Sequence, residues 1–241
     1  MSRRTLLFLV VALAMAALCI RLGLWQLGRL GDRRAANALV EARTRESPVP
    51  IGELLAAGAD PASLRFRRVS VRGTYEYDRE LAIGPRTRQG SPGVNILTPV
   101  VTGDGTRVLV NRGWVYSPDG STVDLARWRE GEPAHVTGFV ETFAPADDAR
   151  PVGASNRTRV IRRAVRDSIA ARVGAALAPV YVVELQNPAA TPLPSQPARL
   201  EPPPLDEGPH FSYAMQWFAF AAIGVVGGIV VAMRERRVAS R

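Results

Sequence analysis

The feature that most restricts this chain is the run from Phe211 to Met233, 23 consecutive residues without a charge. A helix rises about 1.5 Å per residue and a bilayer core is roughly 30 Å thick, so about 20 apolar residues span it. Arg234, Arg236, Arg237 and Arg241 follow at once. Clustered Arg beside a span marks the cytoplasmic side, so the C-terminus is expected there. A second apolar run, Leu6 to Ile20, follows Arg3 and Arg4. That pattern fits either a secretory signal or an uncleaved anchor. Apolar character resumes past Arg21 with Leu22, Leu24, Trp25 and Leu27, and no small-residue cleavage site follows Ile20 cleanly. The anchor is therefore the favoured reading, with Arg21 snorkelling and Trp25 in the aromatic belt. Arg29, Arg33 and Arg34 on the far side blur the orientation of this first segment. Two spans nevertheless put both ends on one side. A two-pass protein of the cell membrane is expected, with both termini cytoplasmic and residues 28–209 outside.

The net charge is +9 over 241 residues. Residues 1–21 carry three Arg and no acid, and residues 234–241 carry four Arg and one Glu. Most of the excess thus sits beside the apolar runs, where it reads as membrane topology rather than a nucleic-acid footprint. All 31 basic residues are Arg, which removes any Schiff-base or P-loop lysine. Two histidines, His135 and His210, and the lone Cys19 cannot build a zinc finger, a His-rich metal cage or a C-x-x-C site. G-x-S-x-G, H-E-x-x-H, G-x-G-x-x-G and Walker patterns are absent from the sequence. Asp147 and Asp148 are adjacent and would not face each other as an acid pair. No enzymatic activity is expected.

Between the apolar runs the chain reads as mixed, mainly β. Phe66–Glu76 alternates, with Arg68, Ser70 and Arg72 on one side and Val69, Val71 and Gly73 on the other. Glu80–Ile83, Val94–Val101, Val108–Val110, His135–Val140 and Val180–Leu185 are further β-rich runs. Gly84-Pro85, Ser91-Pro92-Gly93, Gly103-Asp104-Gly105 and Asp119-Gly120 read as the turns between them. Short antiparallel strands at this spacing suggest a small barrel or sandwich. Ile161, Val165, Ile169, Val173 and Leu177 recur at four-residue steps and predict a helix over 160–177. Arg33–Arg43 reads as a polar helix continuing the first span. The Arg cluster at 157, 159, 162, 163, 166 and 172 is either a solvated helix face or a contact for anionic lipid. Residues 188–209 hold eight Pro in 22 positions and read as an extended tether. The expected architecture is membrane α+β: two transmembrane helices flank an extracytoplasmic antiparallel β-rich domain with one or two helices. Its parts are an anchor (1–27), a β-rich domain (28–187), the tether (188–209), a second span (210–233) and a basic tail (234–241).

Few residues offer chemistry. His135 sits in a strand-like run and reads as a surface or structural residue. Trp114, after Asn111-Arg112-Gly113, is expected to pack the core or line a docking surface. His210 follows Gly208-Pro209 and opens the second span; Pro suits a first helical turn because its missing N–H would be unpaired there. Tyr213, Ala214 and Trp217 follow at i+3, i+4 and i+7. A neutral histidine at lipid level with aromatic neighbours is a haem-iron ligand or an ordinary member of an interfacial belt, and composition leaves both open. Gly224 and Gly228 form a G-x-x-x-G that could seat a neighbouring helix.

Leu22-Gly23-Leu24-Trp25-Gln26-Leu27 with Arg29-Leu30 resembles the first-helix signature of the Surfeit locus protein one family, the cytochrome c oxidase assembly factors. Arg67-Arg68-Val69-x-Val71-x-Gly73-x-Tyr75, Gly84-Pro85-Arg86, Leu97-Thr98-Pro99 and Val108–Val115 resemble the same family in the same order. Gly208–Phe218 is similar to its second-helix signature, while residues 144–179 and 188–206 match poorly. The resemblance implies a membrane protein acting as haem a is inserted into oxidase subunit I, with haem a synthase and the lipid bilayer as further partners. It also implies transiently bound haem a with His210 as iron ligand; Tyr213 and Trp217, which continue the face of His210 at i+3 and i+7, are then expected beside the haem. The alternative is a non-haem scaffold that steadies an oxidase assembly intermediate.

Overall fold

A computed structural model describes residues 2–146, 159–187, 189, 191–202 and 204–239. Asp147, Asp148 and Arg157 lie outside the described residues. The chain divides into two compact units, Met1–Glu41 with Pro204–Arg241, and Ala42–Pro203.

The first unit is a helical pair, α1 (Arg3–Arg45) and α4 (His210–Ala239), both long and apolar enough to cross a membrane. The expected polar helix over 33–43 is the continuous end of α1. At 43 residues α1 is about 64 Å long, roughly twice a bilayer core. The two helices run antiparallel, with Ser2 N–H bonded to Glu235 at one end and Gln26 meeting His210 at the other. Small residues set the contact: Ala16, Cys19 and Ala221 form one buried cluster with Trp217 packed on it. A Cβ on Gly23 would enter the Phe218 ring, and Cβ atoms on Gly224 and Gly228 would meet Ala12, Ala16 and Leu9 at 3.4–3.9 Å. The G-x-x-x-G of α4 therefore seats α1 of the same chain. On α4 the contact stripe is His210, Ala214, Trp217, Ala221, Gly224 and Gly228. On α1 it is Leu9, Ala12, Ala16, Cys19, Gly23, Gln26 and Leu30. Both alternate steps of three and four, the spacing that keeps one face on a partner helix. Away from the stripe, Leu6, Phe8, Leu13, Phe220 and Ile223 are exposed.

The second unit is β-rich. Its elements are β1 (Val49–Pro50), α2 (Ile51–Ala56), β2 (Arg68–Tyr75), β3 (Leu81–Arg88), β4 (Ser91–Thr102), β5 (Arg107–Tyr116), β6 (Ala134–Thr142), β7 (Val160–Ile161), α3 (Arg166–Val173) and β8 (Val180–Glu184). The strand order is β1-β2-β6-β8-β5-β4-β3-β7, and β2 pairs β4 as well. That extra pairing closes β2-β6-β8-β5-β4 into a five-stranded ring, so the β domain is a small barrel. One β2 strand serves both neighbours: Arg68–Gly73 faces β6 and Gly73–Tyr75 faces β4. Gly73, at the changeover, lies where a Cβ would run into the Val101 carbonyl. Inside the ring Val69, Val71, Val100, Val108, Val110, Val136, Val140, Val180 and Val182 are almost wholly buried. Outside it, Ile169 and Val173 of α3 and Leu177 of the segment after it cover Leu81, Ile83, Leu97 and Leu109.

Five expectations change. The helix over 160–177 shrinks to Arg166–Val173, because Val160–Ile161 pairs the open edge of β3 and Gly174, at φ +68°, ends the helix. The four-residue periodicity still marked burial correctly: Ile161, Val165, Ile169, Val173 and Leu177 are all inside. The Arg cluster is consequently no single helix face; Arg159 and Arg162 precede α3, and Arg166 donates to the Leu177 carbonyl. Gly84-Pro85 is not a turn but lies within β3, which shifts register between Ile83 and Arg86. Ser91-Pro92-Gly93 opens β4, the turn falling at Gln89-Gly90. The Pro-rich stretch is also more than a tether, since Ala198 bridges Trp114 and Leu200 bridges Leu185.

Candidate functional site

At the Gln26–His210 end of the helical pair, the stripe turns from small apolar residues to polar ones. His210 Nδ1 lies 2.9 Å from the Gln26 carboxamide oxygen. An amide oxygen only accepts, so this contact is a hydrogen bond in the tautomer that carries the proton on Nδ1. Among the described residues no hydrogen bond reaches Nε2. Gly208, at φ +66°, runs along that edge of the ring; a Cβ there would stand 3.6 Å from Nε2. The imidazole borders a cavity of about 420 Å³ lined also by Arg29, Asp32, Arg33, Ala36, Asp206 and Gly208.

The loop entering α4 is pinned by α1. Arg33 Nε and Asn37 Nδ2 donate to the Asp206 carbonyl at 3.0 and 2.9 Å, and Arg34 grips Glu207 with two bonds of 2.7 and 2.8 Å. The Arg34 fork holds the Glu207 carboxyl below its ordinary range. The Asp206 carboxylate in turn accepts from Gly208 N–H, shaping the turn that presents His210. Arg29–Asp32 and Arg33–Asp206 are open ion pairs with side chains 45–73% exposed, so neither pair contributes much by itself.

The expected site residues separate. His210 and Trp217 share the contact stripe, and Trp217 packs on Ala16, Cys19 and Ala221. Tyr213 lies off the stripe, 46% exposed. His135 is exposed on β6. Trp114 is half-buried over Gly93 and belongs to neither the barrel interior nor the α3 layer.

The barrel holds a charged cluster that composition does not reveal. β5 bulges against β4, since Leu97 pairs Asn111 and Ile96 pairs Gly113, leaving Arg112 unpaired between them. Its fully buried guanidinium donates to Glu80 and Glu130, both at 2.7 Å, and to the Trp128 carbonyl. Thr98 joins by donating to Glu80 at 2.6 Å. The Tyr75 and Tyr77 rings lie 5.3 and 5.4 Å from the same guanidinium. From the Pro-rich stretch, Arg199 reaches Glu130 at 2.5 Å, Glu184 at 3.0 Å and the Arg112 carbonyl at 2.6 Å. Burial pushes the Glu80 carboxyl up, against the pull of Thr98 and Arg112. Burial also opposes ionisation of Glu130, but its bonds to Arg199 and Arg112 outweigh this and hold it below the usual range. Burial, with the neighbouring Glu130 charge, outweighs the pull of Arg199 and Arg112 on Glu184 and pushes its carboxyl up to about 7. It borders a cavity of about 450 Å³ with Arg68, Tyr75, His135, Thr137 and Arg199.

The SURF1 family matches residues 13–222, which takes in most of α1, the first three turns of α4 and the entire barrel. The chain belongs to the SURF1 family. An uncharacterised SURF1-like protein of Mycobacterium tuberculosis is 26% identical over 220 residues, covering 90% of this chain and 79% of its own. The cytochrome oxidase assembly protein SHY1 of Saccharomyces cerevisiae is 29% identical over 103 residues, 42% of this chain and 26% of its own. Surfeit locus protein 1 of Mus musculus is 31% identical over 121 residues, 43% and 38% of the two chains. Gln26 and Arg112 both lie in stretches that resemble the family, yet neither announces its role in sequence. Each acts through a partner far along the chain, 184 residues away for Gln26.

Proposed function

We propose that this chain is a two-pass membrane protein of the cell membrane that assists cytochrome oxidase assembly, holding haem a at His210 on its way to subunit I. Haem a synthase is the donor in this reading. Membership of a family that includes a named oxidase assembly protein supports the assembly role. The observation that carries the haem reading is an imidazole with an uncommitted Nε2 beside a cavity lined by the half-exposed guanidinium groups of Arg29 and Arg33.

The residues suit such a ligand. His210 supplies a neutral nitrogen to iron. Arg29 and Arg33 supply cations to carboxylates at the membrane–water boundary, as bidentate Arg pairing favours. Trp217, two turns deeper on the same stripe, supplies aromatic packing. The outward apolar faces of α1 and α4 suit lipid, which fits the two-span reading. A haem iron would supply the electron-poor centre that accepts the imidazole nitrogen.

The test is the haem spectrum of the full chain purified after co-expression with haem a synthesis genes. His210→Ala is expected to abolish the spectrum at unchanged membrane abundance, and Trp217→Ala to weaken haem retention in part. Full haem occupancy in His210→Ala, or a wild-type protein that never carries haem, would refute the assignment. The non-haem scaffold would then stand in its place.

A further inference from the structure

We infer that Gln26 is the positioning residue for His210: its carboxamide oxygen holds the imidazole in the Nδ1–H form and leaves the Nε2 lone pair free for the metal. The identity of the metal rests on the haem reading above; the tautomer does not. The 2.9 Å contact joins α1 to α4 across the helical pair. In the stripe from Leu9 to Leu30 Gln26 is the only side chain with an amide or a charge. On the facing stripe His210 is the one ionisable residue. An apolar residue at 26 would continue the packing of Gly23 and Leu30, so packing alone gives no reason for Gln there. A carboxamide in a helix contact beside lipid needs a partner, because a buried amide without one costs free energy.

A neutral imidazole has one donor and one acceptor nitrogen, and the bond made by one decides which is left for a metal. With Gln26 accepting from Nδ1–H, coordination through Nε2 displaces no proton. In the other tautomer a proton would have to leave Nε2 first. Gly208 adds to the arrangement, since its missing Cβ keeps the Nε2 edge of the ring open. Partners of this kind typically change metal affinity 10- to 100-fold when removed.

The chain has two histidines, so ¹⁵N-histidine labelling of the full protein in detergent gives two sets of ring signals, and His135→Gln assigns them. At a pH where the ring is neutral, wild-type His210 is expected to show a protonated Nδ1 and a bare Nε2. Gln26→Leu should lose that preference and weaken binding of added ferric haem by roughly 10- to 100-fold. Gln26→Glu, which keeps an acceptor of the same reach, should retain the tautomer and most of the affinity. Gln26→Asn, polar but shorter, should behave like Gln26→Leu, and it separates positioning from the mere need for a polar residue. A protonated Nε2 in the wild type, or an unchanged tautomer in both Gln26→Leu and Gln26→Asn, overturns the assignment. A wild type with protonated Nδ1 that takes up no haem refutes the haem reading and the iron named here.

Discussion

Arg112→Met removes a buried cation and leaves its anions behind. The Arg112 and Glu80 side chains are both 0% exposed, and Glu130 is 11% exposed. Glu80 keeps only the Thr98 hydroxyl, and its second oxygen has no partner even in the wild type. Glu130 keeps Arg199. Removing one partner of such a pair typically costs about 3–5 kcal/mol, because the remaining charge is uncompensated. The guanidinium contacts with Tyr75 and Tyr77 are lost as well, each worth on the order of 1 kcal/mol. Protonation of Glu80, already favoured by burial, limits the loss. For a domain of this size, about 3–5 kcal/mol corresponds to a fall of roughly 6–20 °C in the unfolding midpoint. Thermal unfolding of the full chain in detergent, followed by the β-sheet circular dichroism signal, measures it. Arg112→Lys should recover only part, since an ammonium cannot reach Glu80, Glu130 and the Trp128 carbonyl with one planar fork. Combining Arg112→Met with Glu80→Gln should recover more than Arg112→Met alone. A fall below roughly 2 °C in Arg112→Met would refute the idea that this cluster holds the barrel together.

Glu184 predicts a pH dependence. Burial raises its carboxyl to about 7 from the ordinary 4.5, so the folded state binds the proton more tightly than the unfolded chain. Stability should therefore fall as pH rises from about 4.5 to 7, by on the order of 3 kcal/mol. Glu184→Gln should flatten that slope in denaturant titrations; an identical slope would exclude Glu184 as its source. Reporter fusions at Asp119 and Arg241 should report opposite sides of the membrane, and same-side signals would rule out two spans. Gly73→Ala forces a methyl group into the Val101 carbonyl and is expected to destabilise the barrel by about 1–3 kcal/mol. Unfolding at the wild-type midpoint would show that the β2 changeover can shift.

Much of the architecture is a property of local pattern. The charge-free run at 211–233, the alternation in 66–76 and the paired glycines at 103 and 105 each act within a few residues, so period and composition expose them. All six β-rich runs became strands, with ends extended where a neighbour supplied hydrogen bonds. Period alone did not separate helix from strand at Val160–Ile161, because both place those side chains inside; the open edge of β3 decided it. Barrel against sandwich was likewise settled by one long-range pairing, β2 with β4. The candidate site divides in the same way. His210 is legible as an imidazole opening an apolar helix, because the Gly-Pro before it and the apolar residues after it are adjacent in sequence. What its ring nitrogens do depends on Gln26, on the other helix. Arg112 reads as one more Arg among 31 until a bulge and two distant carboxylates surround it. Whether a polar side chain is solvated or buried with partners is fixed by what folds against it, and only the tertiary structure supplies that.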